Sequence, residues 1–149
     1  MRNIKFRAWD KQAKKMIYSD EVYPKSMYKF EFDILNNFEF KLMKMIDRYN
    51  VTDDEGNDKY QEVFEAVEAD IMQYTGLKDV EVNEIYEGDI IEKEFVDFGN
   101  GDRFVGIVTF IDGCWCVENE NKRSACFLFN ETDVNSVIGN IYENPELDN

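Results

Sequence analysis

The chain has 149 residues and a formal net charge of −15, which fits one acidic domain with or without an appended element. Two prolines and eight glycines exclude a linker-rich or low-complexity chain, and 15% aromatic residues supply a substantial core. The charge is uneven, because residues 1–30 hold eight Lys or Arg against three Asp or Glu, a net of +5. The acidic remainder repels nucleic acid, so direct nucleic-acid binding is disfavoured.

The sequence also indicates a cellular setting. No charged segment followed by an apolar run opens it, and no apolar run reaches the length of a membrane span. We therefore expect no signal peptide and no membrane partner. The three cysteines, an odd number, fit a reducing cytoplasm better than a disulfide framework.

The first 18 residues predict a β-hairpin. Apolar and polar side chains alternate over residues 3–9, and Asp10 to Lys15 is a polar break. Met16 to Tyr18 then resume the strand pattern, so the hairpin has a longer loop.

The middle of the chain predicts a short helical segment. Apolar residues follow helical spacing over residues 37–49, at Phe38, Leu42, Met45, Ile46 and Tyr49. Thr52 to Lys59 predict a loop, and residues 60–67 fit one or two further helical turns. Alternation over residues 67–71 then predicts a strand that leads into Gln73.

From residue 85 onward the pattern is β. We predict strands at Asp89 to Phe98 and Phe104 to Ile111, and a tight hairpin turn at Asp112-Gly113. Further strands are predicted at residues 114–117, 125–129 and 137–141. Their regular spacing is typical of a small antiparallel barrel. Asn144-Pro145 indicates the start of a helical turn.

The stretch YEGDII, residues 86–91, has two interpretations. Gly88 allows a positive φ and Asp89 can accept a backbone hydrogen bond, which predicts the start of a strand. Alternatively, Glu87 and Asp89 form an acid–base pair, but nothing in the sequence supplies the apolar pocket that would separate their pKa values. We favour the strand start.

Other catalytic and metal chemistry finds little support. The chain has no His, which removes the usual Ser–His and Cys–His nucleophiles. Cys114 and Cys116 share a strand face, and Cys126 could join them across a hairpin, but a fourth ligand is missing and the spacing matches no zinc pattern. No phosphate-binding glycine loop is present. We therefore predict no catalytic residues, no cofactor and no metal.

Aromatic and basic residues supply the candidate contacts. Trp9 shares a strand face with Lys5 and Arg7, which suggests either a partner contact with cation–π character or a structural face. Trp115, directly after the tight turn, could border a ligand groove. The candidate partner-contact residues are Lys5, Arg7, Trp9 and Trp115.

Four segments together resemble one family. IKFRAWD at 4–10, MQYTGLKD at 72–79, EIYEGDII at 84–91 and VIGNIYENPEL at 137–147 are similar, in this order, to the YopX family of small phage and prophage proteins. The resemblance implies an α+β protein with an SH3-like barrel that works in the cytoplasm of a bacterial host. It implies no reaction.

One position departs from the family pattern. Similar members have an Asn-Gly turn after GLKD, where this chain has Val80 to Asn83. A two-residue turn that needs positive φ at both positions is costly for Val. We expect either a wider loop or a left-handed Asn83.

The predicted fold is therefore α+β, with an N-terminal β-hairpin, a short helical segment and a C-terminal SH3-like antiparallel barrel. Residues 1–72 form the first part and residues 73–149 the second, in one compact unit. The predicted function is a non-enzymatic phage accessory protein that binds a host or phage protein, with homo-oligomerisation as a further form of partnership. The alternative is an acidic nucleic-acid mimic that modulates a host nucleic-acid-binding protein. A hydrolase that uses carboxylates alone is a third hypothesis.

Overall fold

The fold is described from a computed structural model in residues 3–35, 38–96 and 101–147. About 60% of these described residues are strand and 2% are helical, and no α-helix lies among them. The predicted α+β class is therefore wrong, because the protein is nearly all β. The described strands are β1 Phe6–Asp10, β2 Lys15–Tyr18, β3 Tyr28–Asp33, β4 Glu39–Thr52, β5 Asp58–Val67, β6 Ala69–Lys78, β7 Glu84–Tyr86, β8 Asp89–Glu94, β9 Arg103–Ile111, β10 Cys114–Asn119, β11 Ser124–Phe127 and β12 Val134–Asn140.

The chain divides into two compact units. Met1–Phe6 and Met72–Asn149 form one, called here the terminal unit, and Arg7–Ile71 form the other, called the central unit. The terminal unit carries 7 Lys or Arg against 17 Asp or Glu, a net charge of −10. The predicted single compact body with parts at residues 1–72 and 73–149 stays a prediction.

The central unit contains the predicted N-terminal hairpin, which is confirmed. β1 pairs with β2 antiparallel, and Ala8 lies opposite Ile17. Both residues belong to a buried cluster with Tyr28 and Leu42. Burying these apolar side chains stabilises the hairpin against the following sheet, β3-β4-β5, by about 2 kcal/mol for each large aliphatic residue.

The predicted helix over residues 37–49 is wrong. Residue 37 lies outside the described residues, and Glu39–Thr52 is strand β4, which pairs with β3 and β5. A β-bulge between Met45 and Asp47 adds one residue to β4. The bulge places Leu42 and Tyr49 on one face although they are seven residues apart, which is also the spacing of two helical turns. The bulge therefore explains the helix-like spacing of Leu42 and Tyr49.

The predicted helical turns over residues 60–67 are also wrong. They form β5, in which Val63 and Val67 share one face while Tyr60 and Phe64 share the other. A strand with apolar side chains on both faces loses the simple alternation and imitates helical spacing. The predicted loop before it is confirmed as a turn between β4 and β5.

The terminal unit contains a five-stranded antiparallel sheet in the order β11-β10-β9-β8-β12. Its core is a buried cluster of five aliphatic residues, Ile85, Ile91, Val108, Val117 and Leu128. The sheet forms a half-barrel, with β11 and β12 as its end strands among the described residues. The prediction of a closed SH3-like barrel is therefore corrected to a half-barrel, although the antiparallel strands themselves are present.

Individual turns of this unit follow the sequence. Asp112 and Gly113 have φ of 49° and 85°, so the tight hairpin turn between β9 and β10 is confirmed. β8 ends at Glu94 and not at the predicted Phe98, which lies outside the described residues. The predicted helical turn is a short 3-10 helix at Pro145–Leu147.

The YEGDII stretch is a strand start, as predicted. Gly88 has a φ of 78° between β7 and β8, a region that side chains rarely occupy. Asp89 is 2% exposed, and its carboxylate accepts a hydrogen bond of 2.7 Å from the Tyr86 N–H. The carboxylate therefore serves the turn that leads into β8.

The turn after GLKD is the wider of the two expected forms, because five residues, 79–83, connect β6 to β7. Val82, not Asn83, has the positive φ, at 71°. Asp79 holds the turn, because its carboxylate accepts hydrogen bonds from the N–H groups of Glu81, Asn83 and Val137 at 2.8–3.1 Å. Burial raises the pKa of Asp79, but these hydrogen bonds and that of the Asn83 side chain outweigh it, so the pKa lies below its ordinary value.

Candidate binding site

The four predicted contact residues lie in different surroundings. Lys5 forms an ion pair with Glu84, which also accepts a hydrogen bond of 2.9 Å from the Tyr86 hydroxyl. The hydrogen bond from Lys5 lowers the pKa of Glu84, against the opposing effect of burial. The Lys5 charge is therefore neutralised within the terminal unit.

Arg7 and Trp9 lie on β1 in the central unit and are 4% and 8% exposed. Trp9 lies opposite Met16, which is buried as well. β1 is thus buried on both faces, whereas alternation alone suggested one covered face. A partner contact through Lys5, Arg7 or Trp9 stays a prediction.

Trp115 lies on β10 directly opposite Phe110 of β9. Their ring centroids are 4.9 Å apart at an interplanar angle of 63°. Trp115 is half-buried against the core cluster, while Phe110 is 55% exposed. The aromatic pair therefore lies at the surface, with Trp115 on the side of the core and Phe110 on the side of the solvent.

The edge strand β11 offers a second surface, which the sequence did not single out. β11 is the end strand of the five-stranded sheet, and among the described strands it pairs with β10 alone. The Leu128 N–H donates to the Trp115 carbonyl at 2.9 Å, and Cys116 lies opposite Phe127. Because bonded and non-bonded pairs alternate in an antiparallel ladder, Ala125 and Phe127 direct their N–H and C=O groups away from β10.

An apolar groove of about 460 Å³ adjoins this edge. We call it the β11 groove, and its lining residues include Phe95, Ala125, Cys126, Phe127 and Phe129. Phe127 and Phe129 are 65% and 63% exposed. Two large exposed rings beside an open strand edge are a feature that soluble proteins usually cover or avoid.

Lys93 and Asp133 line the same groove as a buried ion pair. Their side chains are 1% and 4% exposed, and the ammonium lies 3.1 Å from the carboxylate. Lys93 also donates to the Leu128 carbonyl at 3.1 Å and contacts the Asn135 amide oxygen at 3.4 Å. With three acceptors in reach, the ammonium supports the groove and offers no spare charge to a ligand.

Part of the β11 groove could be predicted from the sequence. Lys93 follows Ile91 by two residues on β8, so alternation would have placed it on the core face. Phe127 and Phe129 resemble ordinary strand residues, and only the order of strands in the sheet shows that they lie at its edge. The β11 groove therefore depends on topology, which local patterns do not determine.

The cysteines are separated by the strand register. Cys126 lies opposite Val117, so it shares a face with Val117 and not with Cys114 and Cys116. Burial raises the pKa of Cys116 and of Cys126. Within residues 3–35, 38–96 and 101–147, no three His, Cys, Asp or Glu side chains are grouped so as to hold a metal ion.

Comparisons with known proteins identify the family. The model of the YopX protein family matches residues 5–147, and the chain therefore belongs to this family, which confirms the resemblance in the sequence. The crystal structure of protein yopX from Bacillus subtilis is similar, with 22% identity, a TM-score of 0.60 and coverage of 100% of this chain and 98% of that chain. The crystal structure of protein EF1440 from Enterococcus faecalis has 25% identity, a TM-score of 0.56 and full coverage of both chains, at 100% each. No curated protein matches the chain.

Over the described ranges 3–35, 38–96 and 101–147, no helix has both the length and the hydrophobicity that crossing a membrane requires.

Proposed function

We infer that the protein is a non-enzymatic module that binds an extended segment of a partner protein along the outer edge of β11. The observation that carries this proposal is the open edge itself, where Ala125 and Phe127 direct backbone groups outward beside an apolar groove. An added strand would bond to these groups, which is a common mode of peptide binding.

The side chains beside the edge favour an apolar segment. Phe127 and Phe129 offer exposed rings, and every second side chain of an added strand would point toward one face of the sheet. Apolar residues at alternate positions of the partner would therefore pack against the rings while its backbone bonds to β11.

Charge indicates the remaining chemistry of the partner. The terminal unit carries a net charge of −10, so a segment with Lys or Arg next to its apolar residues would be attracted to it. A second copy of this chain is a poorer partner, because each copy carries −15. We place the module among phage and prophage accessory proteins in a bacterial cytoplasm, with its partner supplied by the host or the phage.

A library of random peptides, selected on the immobilised protein at moderate salt, tests this proposal. We expect selected peptides to alternate apolar residues and to contain Lys or Arg. We also expect Ala125→Pro to weaken their binding about tenfold or more, because proline removes an outward N–H without removing a bond to β10. On binding, the amides of Ala125 and Phe127 should become protected from hydrogen exchange.

The matched variants are Phe127→Lys and Phe32→Lys. Both replace an exposed ring, but Phe32 lies in the central unit, so only Phe127→Lys should weaken binding. Failure to select any peptide, or equal binding by Ala125→Pro, would overturn the proposal. Binding that disappears with salt yet tolerates both β11 variants would instead favour the acidic nucleic-acid mimic.

A further inference from the structure

A second recess of the terminal unit, called here the aromatic cleft, has a volume of about 270 Å³ and is lined by Gln73, Glu87, Phe110 and Trp115. Two turns build it. Glu87 precedes Gly88 in the turn between β7 and β8, while Phe110 and Trp115 lie two residues on either side of Asp112-Gly113. The aromatic cleft shares no lining residue with the β11 groove.

The two rings form its aromatic wall. They meet in an edge-to-face arrangement, so the partly negative face of one ring is directed toward the positive edge of the other. Trp115 is fixed by the core behind it, whereas Phe110 is largely exposed. Ring faces held in this way attract a cation within about 6 Å, and Trp does so best.

Glu87 supplies negative charge to the same cleft. Its N–H donates to the Gln73 carbonyl at 3.0 Å, and one carboxylate oxygen lies 3.5 Å from the Gln73 N–H. These contacts set the half-buried carboxylate beside Gln73, in the middle of β6. Among the four residues that line the cleft, Glu87 has the charged side chain. A carboxylate beside aromatic rings favours a cation over a neutral group of the same shape.

We propose that the aromatic cleft receives an arginine side chain of the partner protein, with the guanidinium against the rings and hydrogen-bonded to Glu87. This inference rests on the proposed function and deepens it by naming one residue type of the partner. A planar guanidinium can stack on a ring and donate to a carboxylate simultaneously, which the compact ammonium of lysine does less well. The net charge of −10 on the unit favours the approach of such a residue.

The test follows the indole N–H signal of Trp115 by NMR while small probes are added at constant ionic strength. The probes are N-acetyl-L-arginine methylamide and the matching citrulline derivative, which has the same shape without the charge. We expect the arginine probe to shift the Trp115 signal with half-saturation on the order of 10 mM, and the citrulline probe to have little effect. Trp9 provides the internal reference, because it is buried in the central unit.

Variants separate charge from shape. Glu87→Gln should weaken the arginine response about fivefold or more, while Glu81→Gln removes an equal charge from an exposed turn and should leave it unchanged. Equal responses to the arginine and citrulline probes, or no response at about 100 mM probe, would overturn the proposal. The matching lysine derivative is a third probe, and a response equal to that of arginine would overturn the proposal as well. The probes need no partner and do not depend on β11, so this inference and the proposed function can fail separately.

Discussion

The ammonium of Lys93 lies 3.1 Å from the Asp133 carboxylate, and water has almost no access to either side chain. Removing two charges from water is costly, and their attraction offsets that cost only while both are present. The pair therefore makes the segment that follows β11 sensitive to changes at either position.

We predict that Asp133→Ala lowers the free energy of unfolding by about 3–5 kcal/mol, because it leaves the Lys93 ammonium buried without its counter-charge. Urea unfolding at neutral pH measures this. The control is Arg103→Ala, which removes an exposed ion pair with Glu92 and should cost less than about 1 kcal/mol. Similar losses in the two variants would show that the Lys93–Asp133 pair is not buried in solution.

Val82 gives a prediction of the opposite sign. Its φ of 71° is strained for a β-branched residue, and its side chain is 65% exposed, so little packing is lost on removal. Val82→Gly should raise the free energy of unfolding by about 0.5–1 kcal/mol. Val80→Gly is the matched control, because Val80 is 62% exposed in the same turn but has no positive φ, and it should lose stability. Thermal unfolding of both variants gives the comparison, and a loss in both would contradict the strain at Val82.

Features of the fold that depend on neighbouring residues could be predicted from the sequence. The turn at Asp112-Gly113 and the strand start at Gly88 follow from the conformations that glycine allows. The central sheet β3-β4-β5 could not be predicted in this way, because a bulge next to Ile46 changes which residues share a face of β4. Whether a strand carries a bulge depends on its register against β3 and β5, and the spacing of apolar residues within β4 does not record that register.

The residues of the candidate sites also divide into those that the sequence could predict and those that it could not. Trp115 was predicted as a contact because of its position after a tight turn. Phe110 and Glu87, which line the aromatic cleft with Trp115, were not predicted, since they come from β9 and from the turn before β8. Arg7 and Trp9 were predicted to share a strand face that is either a partner contact or structural, and the structure shows β1 buried on both sides. Burial of a strand depends on what packs against it, and alternation within the strand does not record this.

Tyr28 should make stability depend on alkaline pH. Burial raises its pKa to about 12, and the hydrogen bond of 3.0 Å from its hydroxyl to the Asp10 carboxylate adds to the effect. The unfolded chain releases this proton near pH 10, so the stabilisation is complete below about pH 10 and is lost as the pH rises toward about 12. Tyr28→Phe should reduce this loss and cost about 1 kcal/mol at neutral pH, because Asp10 loses a donor.

Urea unfolding between about pH 8 and pH 11 measures the alkaline slope. Tyr60→Phe is the control, because Tyr60 lies in the same unit and is 63% exposed, and this variant should keep the slope of the unaltered protein. If Tyr28→Phe kept that slope as well, the Tyr28 hydroxyl would titrate normally and the Asp10 contact would not exist.

The β4–β5 ribbon should open locally before the rest of the central sheet. β3 pairs with β4 only over Glu39 to Lys44, so the pairs from Asp47↔Val63 to Thr52↔Asp58 have no third strand of that sheet beside them. A two-stranded ribbon in water is marginally stable, because few side chains cover its hydrogen bonds.

We therefore expect amides in residues 47–62 to exchange with deuterium about tenfold or more faster than those in residues 39–44, since tenfold corresponds to about 1.4 kcal/mol of opening free energy. Hydrogen exchange read by mass spectrometry resolves the two segments. Asn50→Pro, within the ribbon, should leave the exchange of residues 39–44 unchanged, whereas a general rise would mean that the ribbon and the three-stranded part unfold together. Equal protection of both segments at high dilution would contradict a two-stranded ribbon. Protection of residues 47–62 that appears only as the protein concentration rises would indicate that a second copy of the chain covers the ribbon.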